Sequence, residues 1–184
     1  MKRKTAKEIL ADSFRELADQ KAVNKITVKD ITENCGYSTA TFYRQFKDKY
    51  DLIAWDYSRA LEEILSQINM DPNSWKQALI DAATYFCNHK NYLANLFLHT
   101  SGYDSFIHNM TEIHYNCFRL CIMKFSEKDE LDVKTDMYVR VYSVGTVIVS
   151  CDWILGKYNA TAQELAEIYE NSLPEAIRQY LHKK

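Results

Sequence analysis

The sequence has few of the residues that make tight turns, with four glycines and two prolines among its 184 residues. Apolar residues account for 47% of the chain, which is enough for a substantial core. A chain that is rich in core residues and poor in turn residues favours an all-α fold of one or two small domains.

Long apolar runs are also missing, since no stretch approaches the roughly 18 to 20 residues that span a bilayer. The N-terminal residues MKRKTAKEIL lack the apolar core of a secretion signal. Five cysteines, an odd number without the spacing of a disulfide framework, favour a reducing compartment and mostly buried thiols. We therefore expect a soluble, cytoplasmic protein that does not associate with membranes.

Catalytic motifs are absent from the sequence. It has no serine elbow, phosphate-binding loop or metalloprotease helix, and its carboxylates are spread along polar faces. We therefore expect neither an enzyme nor a bound cofactor.

One group of residues, His114, Cys117 and Cys121, has the helical spacing of metal ligands, with His99 or Asp152 as a candidate fourth ligand. Buried cysteines often only fill space, which is one alternative. A redox-sensing pair of cysteines is another, although no flanking Lys or Arg clearly lowers a thiol pKa. Of these interpretations we favour space filling, and we expect no metal.

Charge is distributed unevenly along the chain. Residues 1–50 contain eleven Lys and Arg against seven Asp and Glu, a net charge of +4. Residues 51–184 contain twelve against eighteen, a net charge of −6. A basic N-terminal module on an acidic body is typical of a protein that binds phosphates at one end, with chance variation of surface charge as the alternative.

Capping patterns divide residues 27–49 into two short helices. Thr27 followed by Asp30 predicts a capping box at the start of the first helix. Gly36 supplies the left-handed conformation that ends this helix, and Ser38 caps the second. Two short helices joined by a tight turn are the layout of a helix-turn-helix DNA reader.

The second of these helices separates an inner face from an outer face. Phe42 and Phe46 share the inner face because they lie four residues apart. The outer face carries small residues at its leading end and a phenol and a guanidinium further along, which suits entry into a major groove. A merely solvated polar face is the alternative. The outer residues are Thr39, Ala40, Thr41, Tyr43 and Arg44.

The segment ITVKDITENCGYSTATFYRQFKDKYDLI, residues 26–53, resembles the DNA-binding signature of the TetR/AcrR family of bacterial transcription regulators. The resemblance implies that Thr27, Tyr43 and Lys49 hold phosphates and that residues 38–44 face the bases. The expected base-facing set is Ser38, Thr39, Ala40, Thr41 and Arg44. Thr39 and Ala40 stand where a basic residue and a glycine are frequent in the family, so the operator sequence does not follow from relatives.

A first helix is expected from Thr5 to Ala22, completing a three-helix DNA-binding domain over residues 1–50. Its leading basic residues are either an arm that reaches the DNA backbone or a solvated terminus; they are Lys2, Arg3, Lys4 and Lys7. Apolar residues then repeat every three to four positions over residues 48–68, which predicts a long connector helix. By the family resemblance, this helix couples ligand state to the position of the recognition helix.

Residues 69–184 are expected to form a helical domain that binds an effector and dimerises. A break at 69–73 is followed by a helix that Ser74 and Gln77 are predicted to cap, then by helices at 92–99 and 106–125. Aromatic residues with polar neighbours suggest a small-molecule pocket, with a filled aromatic core as the alternative. The predicted pocket residues are Trp75, Phe86, His89, Phe97, His114, Phe118, Tyr138, Tyr142 and Trp153.

The last third of the chain has the pattern of an oligomerising region. A helix over 133–156 is apolar on two sides, so both sides must be covered. Thr161 is predicted to cap a final helix that breaks near Pro174. Two such helices from each of two subunits would form a four-helix interface, which is the usual arrangement in the family. The predicted interface residues are Val144, Ile148, Leu165, Ile168 and Ile177.

These patterns predict a homodimeric regulator, a repressor that binds a palindromic double-stranded operator and responds to an unknown small molecule. The order of Gly145, Trp153, Gly156 and the helix start at 161–165 also resembles regulators of dihydroxyacetone kinase operons. Some of these activate transcription and take their signal from a partner protein, so an activator with a co-regulator protein is one alternative. A helical protein-interaction adaptor that no longer binds DNA is another.

Overall fold

The computed structural model describes residues 4–69, 71, 73–102 and 105–181, and all regular structure in these ranges is helical. Lys2 and Arg3 of the predicted basic arm, and two positions of the predicted break at 69–73, lie outside the described residues. The helices are α1 (Ala6–Ala18), α2 (Val28–Asn34), α3 (Thr39–Gln45), α4 (Lys49–Ser66), α5 (Ser74–Asn88), α6 (Lys90–His99), α7 (Phe106–Ser126), α8 (Val133–Ile154), α9 (Ala162–Asn171) and α10 (Glu175–Leu181), with a short 3₁₀ turn at Val23–Lys25.

The predicted helix starts at Thr27, Ser38 and Thr161 are confirmed. Thr27 and Thr161 each form a complete capping box, and the Ser38 hydroxyl accepts a hydrogen bond from the N–H of Thr41. Gly36 has a φ of +73°, as its position in the turn requires. The predicted break before Pro174 is also present, because α9 ends at Asn171 and α10 begins at Glu175.

Two predicted boundaries are wrong because hydrogen bonds from side chains to backbone carbonyls decide them. Helix α1 ends at Ala18 instead of Ala22, since the side-chain amide of Asn95 donates to the carbonyls of Ala18 and Lys21. Ser74 does not cap α5 but is its first residue. The hydroxyl of Ser74 donates to the carbonyls of Asn69 and Asp71, so it closes the preceding loop.

The core begins inside the N-terminal helices and continues into the body. Phe14, Ile31 and Phe42 are fully buried among α1, α2 and α3. Buried residues of α4, α6 and α8 belong to the same cluster, so the small N-terminal module is stabilised by the helices that follow it. A second cluster joins α5, α7, α8 and α10 around Trp75, Phe118 and Ile122.

Helix α4 packs against α1 near its start and against α7 along its length. Its carboxylate Asp56 is buried and accepts two hydrogen bonds from Arg15 of α1, at 3.0 and 3.1 Å. Burial raises the pKa of Asp56, and the positive charges of Arg15 and Arg59 oppose this shift. No described helix combines the length and apolar character needed to cross a membrane.

Candidate nucleic-acid interface and effector cavity

The outer face of α3 is exposed because the buried residues on its inner face fix the helix to the core. Phe42 is fully buried and Phe46 nearly so, and the two rings lie 5.8 Å apart. Ser38, Thr39, Ala40, Tyr43 and Arg44 are exposed, and Thr41 is half-buried with its hydroxyl 3.0 Å from that of Ser38. Helix α3 therefore presents the predicted outer residues together on one surface.

Two of these residues have polar groups that remain available. Tyr43 is 61% exposed and meets Phe42 edge-on, at 5.5 Å between ring centroids. Within the described part of the chain, no residue forms a hydrogen bond or ion pair with the Tyr43 hydroxyl or the Arg44 guanidinium. A phenol and a guanidinium without internal partners can donate to phosphate oxygens or base edges.

The other two predicted phosphate ligands have internal hydrogen bonds. The hydroxyl of Thr27, at the exposed start of α2, donates to the carboxylate of Asp30 at 2.8 Å. The ammonium of Lys49 donates to the carbonyls of Val23 and Ile26, each at 2.9 Å, and burial lowers its pKa. Lys49 thus ties the start of α4 to the turn before α2, and its phosphate contact stays a prediction.

The described lysines of the predicted basic arm contact their own chain. Lys4 forms an ion pair with Asp12 at 2.6 Å. The ammonium of Lys7 lies over the rings of Phe46 and Trp55, at 5.1 and 5.3 Å from their centroids. In this conformation both side chains are held near α1.

One face of α8 is apolar and exposed over the whole length of the helix. Its residues recur at helical spacing, and the most exposed of them is Val133 at 77%. Ile168 of α9 is also exposed. A continuous exposed apolar stripe is typical of a protein–protein interface. We call this surface the α8 stripe; it consists of Val133, Met137, Val141, Val144 and Ile148.

The predicted interface set is wrong in two of its five members. Leu165 is 2% exposed and Ile177 is fully buried within the protomer. Helix α9 packs on α5, and α10 packs on α7 and α8, so Leu165 and Ile177 are covered by their own chain. The other three members of the predicted set are exposed. They are Ile168 of α9 and Val144 and Ile148 of α8.

Five of the nine predicted pocket residues line one internal cavity of about 60 Å³. The cavity lies between α4, α5, α7, α8 and α9, and Leu61 and Ile64 of α4 form part of its wall. Trp75 and Phe118 stack in it at 5.0 Å between ring centroids. The five predicted residues are Trp75, Phe86, His114, Phe118 and Tyr142.

The other four predicted pocket residues lie elsewhere. His89 stacks on Tyr85 at a surface groove, and Phe97 packs on Phe106 in the core. The indole of Trp153 donates to the carbonyl of Ala160. Tyr138 is 36% exposed on α8. Periodicity alone does not reveal that these four residues lie apart from the cavity, and their role in an effector pocket stays a prediction.

Two family profiles match nearly the whole chain. Residues 10–54 match the bacterial regulatory proteins of the tetR family, and residues 73–175 match a transcriptional regulator C-terminal region that also bears the TetR name. The chain belongs to the TetR family of bacterial transcription regulators. Regulators of this family bind DNA, typically as dimers.

Among curated relatives of this TetR family chain is the HTH-type dhaKLM operon transcriptional activator DhaS of Lactococcus lactis subsp. lactis. It is 23% identical over 99 residues, which are 54% of this chain and 52% of the relative. The match therefore spans about half the length of that protein.

Solved structures share the fold. The dihydroxyacetone kinase operon activator DhaS superposes with a TM-score of 0.65 at 19% identity, covering 91% of this chain and 93% of the other. A TetR transcriptional regulator from Rhodococcus sp. RHA1 gives 0.66 at 12% identity, with 97% of each chain covered. The TetR family repressor AlkX from Dietzia sp. gives 0.53 at 16% identity, covering 100% and 98%.

His114, Cys117 and Cys121, the residues with metal-ligand spacing, lie in the body of this TetR family fold, and burial shifts the pKa of each. Nε2 of His114 is hydrogen-bonded to the hydroxyl of Tyr57 at 2.6 Å, and burial lowers the pKa of His114 to about 4. Burial raises the pKa of Cys117 to about 11 and that of Cys121 to about 12. Across the described residues, no group of three or more His, Cys, Asp or Glu is arranged to hold a metal ion.

Sequence reasoning missed the polar residues of the cavity wall. Ser143, Thr146 and Ser150 of α8 line the cavity together with Tyr169 of α9. Their spacing of three and four residues in a largely apolar part of the helix was the available signal. This polar stripe makes the cavity chemically different from the rest of the core.

Proposed function

We propose that this chain forms a homodimer that binds a palindromic operator and represses transcription until an effector binds its body. Residues 1–50 would form the DNA-binding module, residues 48–68 the connector helix and residues 69–184 the effector-binding and dimerising body. The protein would act in the cytoplasm. The observation that carries this proposal is the exposed outer face of α3, where no described residue forms a hydrogen bond or ion pair with the polar groups of Tyr43 and Arg44.

The arrangement of α3 supports a division between phosphate and base contacts. Its N-terminal residues Thr39 and Ala40 are small and exposed, so the start of the helix can approach the floor of a major groove. Tyr43 and Arg44 follow one turn later. Residues 1–50, with their net charge of +4, supply the sequence-independent attraction to phosphates.

The α8 stripe supports a symmetric dimer. Two copies that pair through this surface would cover its apolar residues, since a two-fold axis brings the same patch of each protomer together. The pairing would also set two α3 helices side by side. A spacing of roughly 34 Å between them would match successive major grooves on one side of the duplex.

A footprint on the DNA upstream of the protein's own gene, repeated over a salt series, tests the proposal. We expect protection of a palindrome that fades as salt rises, because bound phosphates release counterions. The Tyr43→Ala variant should weaken binding to all sequences, and Arg44→Ala should also change sequence preference. Lys128→Ala, which removes an exposed positive charge from the body, is the matched control. Absence of protection at low salt with correctly folded dimer would support the adaptor alternative.

Dimer formation is tested separately by analytical ultracentrifugation. Ile148→Glu places a charge in the α8 stripe and should shift the protein to monomers, because an unpaired charge is costly in a buried interface. Leu120→Glu makes the same change at an exposed leucine of α7 and should leave the dimer intact. Equal dimerisation of the two variants would contradict the assignment of the interface.

An activator that takes its signal from a co-regulator protein is the second candidate. It is favoured by the similarity to DhaS, which is described as a transcriptional activator. A reporter fused to the protected promoter distinguishes the two functions. Deleting the gene should raise expression if the protein is a repressor and lower it if the protein is an activator.

A further inference from the structure

Two residues that line the cavity each have a buried polar atom without a hydrogen-bond partner among the described residues. Trp75 and Ser143 are 3% and 2% exposed, and both line the cavity. No described residue accepts from Nε1 of Trp75 or bonds to Oγ of Ser143. Buried polar groups in native proteins are nearly always hydrogen-bonded, so two orphans in one cavity indicate that something other than the chain satisfies them.

The other hydroxyl groups of the wall are already engaged. The hydroxyls of Ser150 and Tyr169 lie 2.7 Å apart, and the Tyr169 hydroxyl donates to the carbonyl of Thr146. Thr146 in turn donates to the carbonyl of Tyr142. These groups hold α8 and α9 together, which leaves the indole N–H and the serine hydroxyl to interact with a bound molecule.

The wall also excludes some ligand classes. None of the described residues that line it is an acid, a lysine or an arginine, and burial keeps the imidazole of His114 neutral. A charged ligand would therefore be buried without a counter-charge. A hydrocarbon would leave both orphan atoms without partners, at the cost of two lost hydrogen bonds.

We propose that this cavity binds a small uncharged molecule with a carbonyl or hydroxyl oxygen. The oxygen accepts a hydrogen bond from Nε1 of Trp75, and a second polar group bonds to Oγ of Ser143. The volume of about 60 Å³ is less than half of the roughly 150 Å³ of a cavity that binds benzene, so it restricts the ligand to about four non-hydrogen atoms. This assignment rests on the proposed effector response and names the chemical class of the effector.

The indole N–H resonances in a ¹⁵N-correlated NMR spectrum report on this contact directly. The chain has three tryptophans, and Trp153 donates to the carbonyl of Ala160, so its resonance serves as an internal reference. Acetamide is the probe, acetate its charged isostere and 2-methylpropene an apolar control. We expect acetamide to move the Trp75 resonance with saturation, at a Kd no tighter than about tens of micromolar. Acetate and 2-methylpropene should leave this resonance unchanged.

Variants of the wall test the geometry. Ser143→Ala should weaken acetamide binding by about 5- to 10-fold through loss of one hydrogen bond. Ser66→Ala removes an exposed hydroxyl at the end of α4 and should bind as the parent protein does. Ala82→Leu fills the cavity and should abolish the shift while the Trp153 resonance stays in place.

The proposal is overturned if acetate moves the Trp75 resonance as acetamide does, or if Ser143→Ala and Ser66→Ala bind equally. A resonance that none of the probes moves would mean that water alone satisfies the two atoms, which also overturns it. The operator footprint needs no added ligand. If acetamide does not bind but the operator is protected, the proposed ligand class is refuted and the proposed DNA binding is not. If acetamide binds but the operator is not protected, DNA binding is refuted and the ligand class is not.

Discussion

Acid should destabilise this protein through one imidazole, that of His114. The ring lies at the cavity wall, hydrogen-bonded to the Tyr57 hydroxyl at 2.6 Å, and burial lowers its pKa from 6.5 to about 4. Below pH 6.5, the unfolded chain therefore binds a proton that the folded protein does not accept. The free energy of unfolding is unaffected by this group above pH 6.5 and falls as the pH drops towards 4.

The size of the effect follows from the shift. Each unit of pKa difference corresponds to about 1.4 kcal/mol, so the full loss at low pH is about 3 kcal/mol. At about pH 5, where the unfolded imidazole is almost fully protonated and the folded one mostly neutral, the loss is about 2 kcal/mol.

Urea unfolding at about pH 7.5 and about pH 5 measures this loss, with the protein at one concentration because dimerisation also contributes. His114→Gln is the comparison, since its amide can still bond to Tyr57 but does not titrate. We expect the parent protein to lose about 2 kcal/mol more than the variant between the two pH values. Equal losses would refute the reasoning and mean that the folded protein accepts this proton as easily as the unfolded chain.

Three further substitutions have defined outcomes. Gly36→Ala should lower the free energy of unfolding, measured in urea, by about 1–2 kcal/mol, because the φ of +73° disfavours a residue with a Cβ. A steric clash does not contribute, since a Cβ at this position meets no atom within 4 Å. Gly145 is exposed on α8, where a close approach of the partner's backbone would leave no room for a Cβ. Gly145→Ala should therefore weaken dimerisation in ultracentrifugation, and a tighter dimer would contradict this close approach. Lys49→Met should cost about 1–3 kcal/mol in thermal unfolding because two carbonyls lose their donor, and a larger loss of DNA affinity than Lys128→Ala shows would support its phosphate contact.

Local signals in the sequence were sufficient for the starts of α2 and α3 and for the turn between them. Thr27, Gly36 and Ser38 act on neighbouring backbone groups, so their roles follow from residue type and spacing. The end of α1 did not follow, because Asn95, distant in sequence, binds the carbonyls that would have continued the helix.

The body shows the limit of periodicity. A stripe such as that of Leu165 and Ile177 shows that a face must be covered, but not whether its own chain or a partner covers it. Both residues pack internally, whereas Ile148 does not. The cavity had a similar limit. Aromatic content indicated a pocket, but the orphan hydroxyl of Ser143 depends on which neighbours α8 acquires in three dimensions.

Helix α4 physically connects the cavity to the DNA-binding helices. It is one uninterrupted helix of 18 residues, about 27 Å long at 1.5 Å per residue. Leu61 and Ile64 lie in the cavity wall, and Lys49 at the other end is bonded to the turn before α2.

Between these points, the buried carboxylate of Asp56 is paired with Arg15 of α1. A buried ion pair adds little net stability, but separating it leaves a charge without a partner. Sliding or rotation of α4 alone would separate this pair and remove the Lys49 contacts. We therefore infer that a molecule which displaces the cavity end of α4 moves α1, α2 and α3 as one unit. The bound molecule would then change DNA binding by altering the spacing between the two α3 helices of a dimer, while each DNA-binding module keeps its fold.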